Sequence, residues 1–209
     1  MTGKFITFEG GEGAGKSTQA RLLERSLEER GINAVLTREP GGSPGAEEIR
    51  SLLVEGEPER WTALTETLLF LAARSDHIAR LIKPSLEGGK WVVCDRFSAS
   101  TLVYQGIARG VGVGTVNALQ NAIPGMIFPD LTIILDVAPE IGLTRVGARA
   151  EDIETRYEKF DSKFHETLRT AFRELSVSQD QNCVLVDGGR EPEIVADEIW
   201  QIVQKRFSP

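Results

Sequence analysis

From residue 4 to residue 18 the chain reads Lys4-Phe5-Ile6-Thr7-Phe8-Glu9-Gly10-Gly11-Glu12-Gly13-Ala14-Gly15-Lys16-Ser17-Thr18. Lys4 to Glu9, rich in aromatic and β-branched residues, predicts a buried strand. Gly10, Gly15, Lys16 and Ser17 then stand in the register of a phosphate-binding loop. Glycines let successive backbone N–H groups turn inward around a phosphate, and the next helix points its positive N-terminus at it. Lys16 adds a full charge at the β- and γ-oxygens, and Ser17 supplies a hydroxyl for Mg²⁺. Ala20, Leu23 and Leu27 follow at i, i+3 and i+7, with Gly31 as a stop signal, so an amphipathic helix is expected directly after the loop. This context, strand then loop then helix, implies that Gly10, Gly11, Glu12, Gly13, Ala14, Gly15, Lys16, Ser17 and Thr18 hold a nucleoside triphosphate.

Four further runs read as buried strands: Asn33 to Arg38, Trp91 to Asp95, Leu131 to Asp136 and Cys183 to Asp187. Helical patterns fill the intervals, including a stripe of Val195, Ile199, Ile202 and Val203 behind an acidic first turn at Glu191 and Glu193. Strands alternating with helices predict an α/β fold of three layers, in which helices flank a five-stranded, mostly parallel sheet of the P-loop NTPase kind. No Pro/Ser-rich linker or internal repeat divides the chain, so residues 1–209 are expected to form a single domain. Val146 to Glu158 is polar, charged and weakly periodic, and marks a candidate mobile lid near 146–158.

Composition narrows the function. With 209 residues, 41% hydrophobic and 26% charged, the chain has material for a core and too little charge for disorder. Its net charge of −7 argues against a nucleic-acid groove, which requires an excess of clustered Lys and Arg. No apolar run approaches the roughly 20 residues that cross a bilayer, and no export signal opens the chain, so a cytoplasmic protein with no membrane partner is expected. Cys94 and Cys183, each inside an apolar run, read as small buried residues.

A guanine-reading Asn-Lys-x-Asp segment is absent. The third strand ends in Val92-Val93-Cys94-Asp95, which delivers a carboxylate to the edge where ligands bind in such sheets, making Asp95 the second Mg²⁺ candidate beside Ser17. Phe70, Arg74 and His77 stand at i, i+4 and i+7, sharing one helical face that offers a ring for stacking and a guanidinium for a base carbonyl. Taken alone, the same pair also suits a core phenylalanine and a surface salt-bridge arginine. Ser100, Tyr104 and Gln105 likewise present a hydroxyl, a phenol and an amide to a common region.

Several motifs together, Phe8 to Thr18, Thr37-Arg38-Glu39-Pro40-Gly41-Gly42, Leu69-Phe70-Leu71-Ala72-Ala73-Arg74, Asp95-Arg96-Phe97 with Ser100, Tyr104-Gln105-Gly106 and Pro129-Asp130-Leu131, resemble the thymidylate kinase family. The resemblance runs from about Ile6 to Asp187. It implies transfer of the γ-phosphoryl group of ATP to dTMP with Mg²⁺ as cofactor, in a homodimer. It implies that Phe70 stacks on thymine, that Arg74 bonds its exocyclic oxygen, and that Ser100, Tyr104 and Gln105 complete the base and sugar pocket. Arg38 and Arg96 would clamp the acceptor phosphate, Glu12 would face the 3′-hydroxyl end, and the turn at Pro40 would approach the ligand closely.

The loop carries Gly13 where one branch of the family has arginine, so a further cation must come from elsewhere. Arg145, Arg149 and Arg156 share a face if the helix runs through the lid, as in the bacterial form with lid arginines. Arg149 and Arg156 are thus expected over the transferring phosphoryl group, catalytic alongside Lys16 and Arg96, with Arg145 and Arg190 beside adenine. Asp76 and Thr155 depart from the family pattern, which commonly has glutamine and aspartate at those places. The competing reading is another phosphate-loop kinase acting on a different nucleotide or on a deoxynucleoside.

Overall fold

The computed structural model describes residues 3–148, 156–178 and 182–208. Five strands, β1 (Phe5–Glu9), β2 (Ala34–Arg38), β3 (Trp91–Asp95), β4 (Leu131–Asp136) and β5 (Cys183–Asp187), form one sheet in the order β2-β3-β1-β4-β5. All four pairings are parallel, so the mostly parallel sheet that was expected is wholly parallel among the described residues. The helices are α1 (Lys16–Glu28), α2 (Pro44–Val54), α3 (Ala63–His77), α4 (Lys83–Glu87), α5 (Ser98–Thr101), α6 (Val113–Asn121), α7 (Pro139–Gly147), α8 (Ser162–Ser178) and α9 (Pro192–Phe207). α3 runs through a π-helical turn, Ile78–Ile82, into α4, and α5 runs into a longer one, Leu102–Ala108.

Period-two alternation builds the layers. Ile6, Phe8, Val93, Ile133 and Leu135 face α1 and α9, meeting Ala20, Leu23, Leu27, Val195, Ile199 and Val203. The intervening residues point the other way. Phe5, Val92 and Cys94 pack against Ile78, Ile82 and Phe97, while Ile134 packs against Leu168 and Phe172 of α8. Both faces are covered, which explains why the strands read as continuous apolar runs. Cys94 is buried and Cys183 half-buried.

The strand order also positions the site. The chain leaves β1 for β2 on one side and passes from β3 to β4 across the other, so the carboxyl ends of β1 and β3 open a crevice of the kind that binds ligands in α/β sheets. Register places Arg38 opposite Asp95 and Asp95 opposite Phe8.

Candidate active site

The phosphate loop turns at Gly15, whose φ of 93° lies in the left-handed region, and Lys16 opens α1. Lys16 Nζ donates to the Gly11 carbonyl at 2.6 Å. Burial and the neighbouring Arg96 charge lower its pKa to about 8, against the opposing pull of Glu12 and Asp95. Gly13 is held against α7: a Cβ on Gly13 would fall 1.9 Å from the Gly142 carbonyl oxygen, and one on Gly142 would fall 2.2 Å from that of Glu12. A side chain at position 13, arginine included, is thereby excluded.

Ser17 Oγ donates to Oδ2 of Asp95, which brings together the two residues expected at a metal. Asp95 Oδ1 is buried and unpartnered among the described residues, a costly state for a carboxylate oxygen. A hydroxyl and a carboxylate with an unused oxygen suit Mg²⁺, which takes few protein ligands and completes its shell with phosphate and water oxygens.

Beyond Asp95 the chain bends at Arg96, a non-glycine residue at φ 68°; the left-handed backbone costs about 1–3 kcal/mol and aims the guanidinium back at the loop. Arg96 donates to both oxygens of Glu12 at 3.0 Å, to the Gly10 carbonyl at 3.0 Å and to Ser100 Oγ at 3.2 Å. Tyr104 donates its hydroxyl to Glu12 at 2.8 Å. Burial alone would raise the Glu12 pKa, but the charges of Arg96 and Lys16 and the Tyr104 hydrogen bond hold it down to about 2. Beneath them Glu9, fully buried, accepts from the Phe97 N–H at 2.8 Å and from Ser100 Oγ at 2.5 Å, and burial raises its pKa.

On α3 the side chain of Arg74 is almost wholly enclosed. Its Nε donates to Glu39 at 2.7 Å, Nη1 to Gln120 at 2.9 Å and Nη2 to Thr101 at 3.0 Å, and the guanidinium lies over the Phe97 ring at 4.7 Å. His77 shares that face as its spacing predicts, yet it lines neither of the two cavities beside the phosphate loop: it sits behind the site, between Thr37 at 2.8 Å and Glu39 at 3.1 Å. Thr37, His77, Glu39 and Arg74 therefore form one chain that fixes the arginine. The Glu39–Pro40 peptide is cis.

These parts enclose a cavity of about 460 Å³. Glu12, Arg38, Pro40, Phe70, Arg74, Arg96, Ser100, Tyr104 and Gln105, the whole set expected around the acceptor, line it together with Lys16, Ser17 and Asp95. A second cavity, of about 280 Å³, lies on the other side of the loop between Gly13, Gly15 and Thr18 and the turn Gly188-Gly189-Arg190. Arg145 and Arg190 both line it, Arg145 donating to the Gly188 carbonyl at 3.0 Å and Arg190 pairing with Glu198.

Among the arginines expected in the lid, Arg156 departs from expectation. Arg149 lies outside the described residues. α7 ends at Gly147 and Arg156 sits in a turn, so Arg145 and Arg156 do not share a continuous helix. Arg156 does not border either cavity. It is fully buried, donating to the carbonyls of Leu53, Glu57 and Pro58 at 2.7–3.0 Å and to Glu66, so its donors are engaged away from the phosphate loop.

Sequence reasoning did not single out Glu9, Arg50, Glu66 or Tyr157. Arg50 and Tyr157 line the larger cavity, where the Tyr157 ring stands 6.4 Å from Phe70 and 5.5 Å from Tyr104. Glu9 carries a readable signal, a charge ending an apolar strand; Tyr157 and Arg50 carry none.

Comparison with known proteins agrees with this geometry. A family model described as Thymidylate kinase matches residues 8–199. The chain is 50% identical over 209 residues to a thymidylate kinase of Rhodopseudomonas palustris (strain ATCC BAA-98 / CGA009), covering 99% of this chain and 91% of that one. It is 48% identical over 206 residues to one of Bradyrhizobium sp. (strain ORS 278), with 98% and 91% covered. The crystal structure of thymidylate kinase from Ehrlichia chaffeensis superposes with a TM-score of 0.77 at 33% identity, over 98% of this chain and 100% of that one.

Proposed function

The chain belongs to the thymidylate kinase family, and on that premise we propose that its two cavities hold ATP and dTMP on either side of the phosphate loop. The enzyme transfers the γ-phosphoryl group of ATP to dTMP, giving dTDP and ADP. One observation carries the assignment of substrates to cavities: all nine expected acceptor residues line a single cavity, and Arg145 and Arg190 line the other.

In this reading the adenine lies between Arg145 and Arg190, and the triphosphate lies along the loop Gly10 to Thr18, with Lys16 at its β- and γ-oxygens. Thymine stacks on Phe70 with its exocyclic oxygen toward Arg74, whose fixed guanidinium is ready before the base arrives. Tyr104 and Ser100 border the sugar, Arg38 and Arg96 supply positive charge at the 5′-phosphate, and Pro40 closes the side of the pocket. Phosphoryl transfer needs alignment and charge neutralisation. Lys16 and Arg96 neutralise from the floor, and Arg149 does so from the lid. Ser17 and Asp95 would hold Mg²⁺, which when bound supplies positive charge at the phosphate oxygens. Glu12, held ionised by Arg96, fixes Arg96 in turn and faces the sugar's 3′-hydroxyl end.

The same reading includes a single domain over residues 1–209 with its lid near 146–158, a cytoplasmic location and a homodimer. Leu64 and Leu68, one turn apart and about half exposed on α3, support a second copy there. Among the described residues no helix is long and apolar enough to cross a membrane. ADP release from MgATP with a panel of nucleoside monophosphates tests the assignment. Activity should be highest with dTMP, weak with dUMP and absent with thymidine, which lacks the phosphate that Arg38 and Arg96 require. Phosphorylation of thymidine itself would overturn the acceptor site.

A further inference from the structure

Glu66 is wholly buried on α3, one turn before Phe70, and touches neither cavity. Its Oε1 accepts from Gln105 Nε2 at 2.8 Å, and Oε2 accepts from Arg156 Nη2. Arg109 Nε stands 4.0 Å from the same carboxylate. Three cavity-related elements therefore meet on one carboxylate: the helix bearing Phe70 and Arg74, the π-helical turn bearing Tyr104 and Gln105, and the chain leaving the lid at Arg156.

A side-chain amide has a donor branch and an acceptor branch, and either can face a given partner unless the surroundings decide. A carboxylate bonded to a guanidinium only accepts. Opposite Glu66, the Gln105 amide must turn its NH₂ inward, which leaves its carbonyl oxygen as the group offered to the cavity that Gln105 lines. Thymine carries an N–H at ring position 3; cytosine carries a lone pair there. An acceptor aimed into the pocket matches the first and repels the second, and a buried polar group left unpaired penalises the wrong base strongly.

We propose that Glu66 is a positioning residue for base selection: it fixes the orientation of the Gln105 amide so that the pocket reads the N3–H of a thymine or uracil ring and rejects cytosine. The proposal rests on the acceptor assignment above. Glu66 touches no substrate and acts through Gln105, while its bond to Arg156 holds the carboxylate in place.

The test is Glu66→Gln, which keeps the shape but lets residue 66 either donate or accept, so that the Gln105 amide is free to flip. The ratio of kcat/KM for dTMP to that for dCMP should fall at least about tenfold, through a higher KM for dTMP, while KM for ATP changes less than about threefold. Glu66→Gln takes the charged partner from the buried Arg156 and lowers stability, so a second variant keeps the charge balanced. Glu66→Gln with Arg156→Gln removes both charges and should show the same loss of selectivity. In a Gln105→Leu background Glu66→Gln should add no further loss, because its effect passes through Gln105. An unchanged ratio in a folded variant, or an equal loss in the Gln105→Leu background, overturns the role of Glu66. Wild-type protein inactive on dTMP would instead overturn the acceptor assignment itself.

Discussion

At the scale of single residues the site is a set of charges whose states are set by their neighbours. Lys16 is the most consequential, since its ammonium is buried and its pKa lowered to about 8. The protonated form binds phosphate, so kcat/KM for ATP should decline as pH rises through 8, approaching tenfold per unit above it. Bound triphosphate stabilises the ammonium, so the corresponding break in kcat should lie at higher pH. Profiles between pH 6.5 and 9.5 check this; a flat kcat/KM across that range would mean that Lys16 stays charged throughout. Arg149 is the other residue on which rate should depend. With Gly13 unable to carry a side chain and Arg156 enclosed elsewhere, Arg149→Ala should lower kcat by roughly 10³ with little change in dTMP affinity, as measured by steady-state kinetics and calorimetry.

At the scale of elements, the decisive contact is between the phosphate loop and α7. Gly13 and Gly142 approach so closely that neither tolerates a Cβ. Gly142→Ala should therefore force the two apart, at a cost of about 1–3 kcal/mol and a raised KM for ATP, while KM for dTMP moves less. Thermal denaturation together with the two KM values decides it; an unchanged melting temperature would show that α7 yields freely. The π-helical segment Leu102–Ala108 is the second such element. It brings Tyr104 to Glu12 and Gln105 to Glu66 from adjacent positions in the chain, a divergence that widened helical turns provide at functional sites.

The molecule as a whole joins two nucleotide cavities through one loop. A ligand bridging both, such as a dinucleoside polyphosphate joining adenosine to thymidine, should bind the folded state alone. At about 100 times its Kd it should stabilise the protein by about 2.7 kcal/mol, raising the melting temperature by roughly 5 to 10 °C for a chain of this size. ATP and dTMP added separately should each give a smaller shift at concentrations well below their own Kd. Equal shifts from the bridging ligand and from ATP at matched concentration would mean that the cavities are not occupied together.

The strand-loop-helix at Lys4 to Leu27, the five strands and the arrival of Arg38 and Asp95 at one sheet edge were legible in the order of residues, because each depends on local periodicity and on the parallel register that such alternation imposes. Phe70 with Arg74, and Ser100 with Tyr104 and Gln105, were legible for the same reason, being four or five residues apart, little more than one helical turn. Tertiary structure alone decided what faces those residues from afar: Glu9 under Phe97, His77 behind Glu39, and Arg156 on Glu66 across ninety positions of chain. A guanidinium in a polar segment reads equally as a phosphate ligand or as a buried strut. Which it becomes depends on whether a carboxylate and three carbonyls happen to converge on it, and spacing along the chain carries no record of that convergence.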